Sequence, residues 1–208
     1  MLKLKIDGRW EPQDFIEVLR SIESFYYKLA LGRFVDLPPP YWGGDRYSFW
    51  TSERFNGWPF EAILDDINHR MLERARYEAP THERLSIRRI RYSSPGGIDL
   101  LGVGKAFDVL ANSIGRMKTY FDEAHLRKER DIQTSLDTEL KRIEVEKERE
   151  SLQALKIKNA HDALQLLELH PEMGDALVPL LVRDQDAIAS RLAERKLISA
   201  RVVRGGQE

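Results

Sequence analysis

Residues 121–151 read FDEAHLRKERDIQTSLDTELKRIEVEKERES, and this stretch divides the chain. Phe121 is the last aromatic residue, and the 87 positions after it hold no Phe, Tyr or Trp. Between Asp122 and Ser151, 17 of 30 residues are Asp, Glu, Lys or Arg. Large flat side chains supply much of the burial in a compact core. The border therefore predicts a globular head over 1–121, a charged helical arm over 122–170, and a C-terminal helix and tail over 171–208.

Working back from Phe121, the residues Val103, Phe107, Leu110, Ile114, Met117, Phe121 and Ala124 recur at alternating steps of four and three. That is the repeat of a helix packed along its length against another element. Helical character then continues without Pro or Gly to His170-Pro171. Unbroken from Leu101, such a rod would span on the order of 100 Å. A seam threads the arm through Leu136, Leu140, Ile143, Lys147, Glu150, Ala154, Ile157, His161 and Leu164. Its middle is polar, which weakens a coiled coil without forbidding one. The expectation is a homodimer paired through Leu136, Leu140, Ile143, Ile157 and Leu164; the competing arrangements are an arm folded back on the C-terminal helix and a merely solvated rod.

In the head, Leu2, Leu4 and Ile6 alternate with Lys3, Lys5 and Asp7, the period of a strand with one buried face. A helix is expected from Pro12 to about Gly32, burying Phe15, Leu19, Ile22, Tyr26 and Leu29. A second is expected from Glu61 to about Tyr77, and a second strand from Arg84 to Tyr92, where the parity shift between Ile87 and Ile90 suggests a bulge or burial on both faces. Ser93-Ser94-Pro95-Gly96-Gly97 is turn chemistry. A last helix falls between Pro171 and Leu197, and Arg201–Arg204 suggests a short strand. The fold class is α+β: a head of two or three strands with helices on one face, extended into a coiled-coil-like arm and a final helix.

Residues 36–60 have no period but are rich in aromatics. Tyr41, Trp42, Tyr47, Trp50 and Trp58, with Arg46 and Arg54, form the candidate binding loop for a protein or small-molecule partner. Rings there can stack on a ligand, and Trp N–H and Tyr O–H groups can donate to it. The plainer reading is that these rings close a small core. On the second strand, Arg89 and Arg91 share a face and Arg88 is expected on the other, which breaks up any basic patch. With Arg84 they offer two readings: a nucleic-acid surface, which the near-neutral net charge disfavours, and solvated edge-strand charges that discourage aggregation, the preferred one.

Other classes lose support. Through Phe121 there are 18 basic and 16 acidic residues, and after it 15 and 18. Without a basic excess, neither nucleic acid nor membrane is an expected partner, although a local basic patch is compatible with these totals. There is no cysteine, which removes disulfides and thiolate chemistry and suits a reducing cytoplasmic setting. No apolar run is long enough for a membrane span. Gly97–Ala106 mimics a phosphate loop, but Asp99 replaces the first required glycine and Ala106 the Ser or Thr after the lysine. Asp65, His69 and Glu73 lie one helical turn apart, a spacing better explained by an exposed face than by a metal site. No catalytic residue, metal or cofactor is expected. The sequence thus reads as a non-enzymatic interaction or regulatory protein. The alternatives are a small-molecule or nucleotide sensor using the aromatic loop, and a membrane-peripheral protein using helix 101–121.

Overall fold

Leu2, Leu4 and Ile6 are buried while Lys3 and Lys5 reach the opposite side, so the first strand is half-buried as its alternation requires. The computed structural model describes residues 1–34, 60–131, 138–166 and 171–204. The elements in order are β1 (Leu2–Ile6), α1 (Pro12–Phe34), α2 (Phe60–Glu78), a 3-10 turn (Thr81–Glu83), β2 (Ser86–Arg91), β3 (Gly96–Leu101), α3 (Gly104–Asp131), α4 (Thr138–Leu166), α5 (Pro171–Ala193) and β4 (Leu197–Val202). The α+β class is as expected. The described residues hold four strands, however, where two or three were expected, and five helices.

The sheet is antiparallel throughout, in the order β2-β3-β1-β4. β1 and β2 run parallel with β3 between them, and β3 and β4 run parallel with β1 between them. These are two interleaved split β-α-β units, a ferredoxin-like strand arrangement whose second crossover carries three helices. The arrangement itself says nothing about function.

β3 occupies Gly96–Leu101, where the sequence suggested a turn leading directly into a helix. Its Ile98 and Leu100 face Leu4 and Leu2 across the ladder and join the same core. The expected bulge in β2 is present as a register shift between Ile87 and Arg89.

α1 starts where Pro12 fits a first turn, and the Asp14 carboxylate accepts from Glu11 N–H at 3.0 Å, satisfying one of the donors a helix start leaves open. It continues past Gly32 to Phe34. Its Val18, Ile22, Phe25, Tyr26 and Leu29 are buried with Phe107, Leu110, Ile114 and Met117 of α3 and Leu177, Leu180, Leu181, Ile188 and Leu192 of α5. The α3 stripe is thus core, not a surface available to a membrane. Tyr26 pins the layers together: its hydroxyl donates to the Glu83 carbonyl at 2.5 Å and accepts from Val103 N–H at 2.7 Å. A Cβ at Gly102 would lie 2.8 Å from that hydroxyl, so the close approach needs glycine.

The unbroken rod is corrected. Arg116 on α3 forms an ion pair with Asp162 on α4 and donates to Asn159 Oδ1 at 3.2 Å. Tyr120 on α3 donates to the Glu148 carbonyl. In one straight helix Arg116 and Asp162 would stand about 70 Å apart. α4 therefore folds back antiparallel along α3. It also packs on α5, where Asn159 Nδ2 donates to Gln185 Oε1 at 3.0 Å. The face of α4 turned inward carries Lys156, Asn159, Ala160, Ala163 and Leu164.

Candidate binding face

With the core on one side of the sheet, no helix among the described residues packs on the other. Within the four strands there are six cations, Lys3, Lys5, Arg88, Arg89, Arg91 and Arg201, and a single carboxylate, Asp99. The register lines them up. Arg89, Asp99, Lys3 and Arg201 form one row across all four strands. Arg91, Gly97, Lys5 and Ser199 form the next. Neighbouring strands are about 4.8 Å apart, so a row is roughly 14 Å long and the two rows lie about 7 Å apart.

Arg88 joins this face, contrary to the parity count. The register skips it at the bulge, and its guanidinium donates to Met1 Sδ at 3.6 Å, beside the outward row. A classic bulge sets two successive side chains against one partner and so undoes the alternation. Gly97 has the complementary role. A Cβ there would come within 3.1 Å of Arg91 Nη2, so the bare glycine leaves room for that guanidinium to lie across the sheet.

Lys5, Arg88, Arg89, Arg91 and Arg201 are exposed, and Lys3 is partly so. None of the six pairs with a carboxylate among the described residues. Lys3 and Arg201 even stand directly opposite each other, a like-charge pairing that costs stability. Asp99, between Arg89 and Lys3, is only 6% exposed, and its Oδ1 has no hydrogen-bond partner. A buried acceptor left open in this way normally costs about 1–3 kcal/mol. The face is therefore an electrostatic arrangement that folding alone does not require.

Two other features are structural in character. A cleft of about 470 Å³ lies between α3, α4 and the end of α5, lined among others by Tyr120, His125, Val145, Glu148 and Leu152. Lys28 is sealed in the core, donating to Asp184 Oδ2 at 2.6 Å, Ser24 Oγ at 2.9 Å and the Leu180 carbonyl at 3.3 Å. Burial pushes the Lys28 ammonium below its ordinary range and the Asp184 carboxyl above its own, against their mutual attraction. With no route to solvent, this pair fastens α1 to α5.

The aromatic-loop candidates Tyr41, Trp42, Arg46, Tyr47, Trp50, Arg54 and Trp58 lie outside the described residues, as does Leu136. So does the side chain of Leu140, on α4. Ile143 and Ile157 are exposed on α4, at 48% and 38%, whereas Leu164 is buried in the chain's own core. Lys147, Glu150, Ala154 and His161 are exposed as well, so the seam over 143–161 runs along the solvent side of α4. The intramolecular packing uses a different face. Asp65 accepts from Arg183 at 2.6 Å and does not join the loose His69–Glu73 pair, which is 3.4 Å apart. No group of three or more His, Asp or Glu suited to a metal occurs among the described residues. No helix among them is long and apolar enough to cross a membrane.

Comparison with known proteins finds no matching family model, no similar curated protein and no similar solved structure.

Proposed function

We propose that this protein is a non-enzymatic binding module that presents the basic face of its sheet to an anionic partner, with the helices on the other side serving as scaffold and assembly surface. One observation carries this reading: six cations from three strands share one face, none is paired within the described residues, and two of them oppose each other directly. Focused positive charge of this kind attracts anions even when the net charge of the whole chain is −1. The test is retention on phosphocellulose. The parent chain is expected to elute at clearly higher salt than Lys5→Glu/Arg89→Glu/Arg91→Glu. Equal elution of the two would overturn the reading.

Self-association belongs to the same proposal. Ile143 and Ile157 are two heptads apart and exposed on the outward side of α4, which supports pairing of that side with a second copy.

A further inference from the structure

The face carries more than positive charge. Four of its six cations are arginines, whose planar forks match phosphate oxygens and also stack on flat rings, which lysine does not do. The cations lie in two rows about 7 Å apart on a surface roughly 14 Å across. A face of that size suits a single strand laid over it better than a duplex, whose paired backbones curve away from so small a surface. An anionic bilayer would be met better by a continuous apolar patch able to enter it, whereas the most exposed outward apolar side chain among the described residues of β1–β4 is a single leucine, Leu101, at 41%. A nucleotide strand brings flat bases together with its phosphates, and arginine matches both.

We infer that the ligand of this face is single-stranded nucleic acid, held through its phosphates with little regard to sequence. The inference rests on reading the sheet face as an anion-docking surface and names what docks there. Arg88, Arg89 and Arg91 on β2, Lys3 and Lys5 on β1 and Arg201 on β4 form the track. Room for about four phosphates predicts a slope of log K against log salt near −3.

The experiment uses the full chain and fluorescence anisotropy with labelled oligouridylate and oligothymidylate of about 20 nucleotides, titrated between about 50 and about 200 mM KCl. A duplex of the same length and vesicles rich in phosphatidylserine serve as competitors. The single strands should bind with the predicted slope, and both competitors should displace them poorly. Arg89→Glu/Arg91→Glu should weaken binding by about tenfold or more and flatten the slope. Lys158→Glu, an exposed charge change on α4, should leave binding unchanged. Circular dichroism melting confirms that each variant is folded. If vesicles outcompete the oligonucleotides, or if the β2 variant binds as tightly as the parent, the inference is overturned. Phosphocellulose retention that depends on the face, without oligonucleotide binding, overturns the nucleic-acid assignment and leaves the anion-docking reading standing.

Discussion

Lys28 on α1 and Asp184 on α5 meet at 2.6 Å, with 0% and 6% of their side chains exposed. Two charges out of water are worth their desolvation only when each satisfies the other, and here Ser24 and the Leu180 carbonyl take up remaining protons of the ammonium. The two residues are 156 positions apart in sequence, and their contact ties α1 to α5.

Removing one partner strands the other. Lys28→Met is expected to lower the unfolding free energy by about 3–5 kcal/mol, and Asp184→Leu by a similar amount. The double variant should recover most of that loss, because an apolar pair of similar volume replaces the ions. A double-mutant cycle by urea unfolding measures the coupling. Simple additivity of the two losses would show that the pair does not act as a unit.

Acid should loosen the junction of α1 with the end of α5. Asp14 is held below its ordinary 3.8 first by Lys196 and by the Glu11 N–H. Glu17 is held below 4.5 by Gln13 and Arg191, and Glu194 below 4.5 chiefly by Arg191. A depressed folded value means the unfolded chain takes up the proton first, so this stabilisation is complete above the ordinary values and fades as pH falls through the folded ones. The melting temperature should hold level down to about pH 5 and decline below about 4.5. Asp14→Asn should lower the plateau and make the acid decline shallower. An acid decline as steep as the parent's would remove Asp14 from this account.

The outward side of α4 is tested separately. Ile143→Asp/Ile157→Asp should halve the mass measured by light scattering after size exclusion and leave the melting temperature of the protomer nearly unchanged, since both side chains already face solvent. A parent chain that runs as a monomer would refute pairing through this side.

The parts of the fold that repeat locally were legible in the sequence. The alternation of Leu2, Leu4 and Ile6, the α1 stripe, the bounds of α2 within a residue, and the bulge near Ile87 all follow from period and turn chemistry. β3 was hidden because Gly96-Gly97-Ile98-Asp99-Leu100-Leu101 shows no clean alternation, with paired glycines at one end and adjacent leucines at the other. The fold-back of α4 was hidden because its inward face mixes small and polar residues, Lys156, Asn159, Ala160 and Ala163, with few large apolar ones, so no strong stripe marks it. The basic face is not legible in the sequence for two reasons. Its members come from three strands nearly 200 residues apart, and their charge cancels in the totals for each half. The bulge also returned Arg88 to the side from which a strict period of two excludes it.

β1 also sets an order of events. It takes an interior place in the sheet, with β3 on one side and β4, Leu197–Val202, on the other. A chain emerging from the ribosome thus carries a half-paired interior strand until β4, made far later than β1, appears. During that interval the exposed rim of β1 is open to mispairing with other chains. The helices between β3 and β4 can assemble earlier, and the sheet closes last.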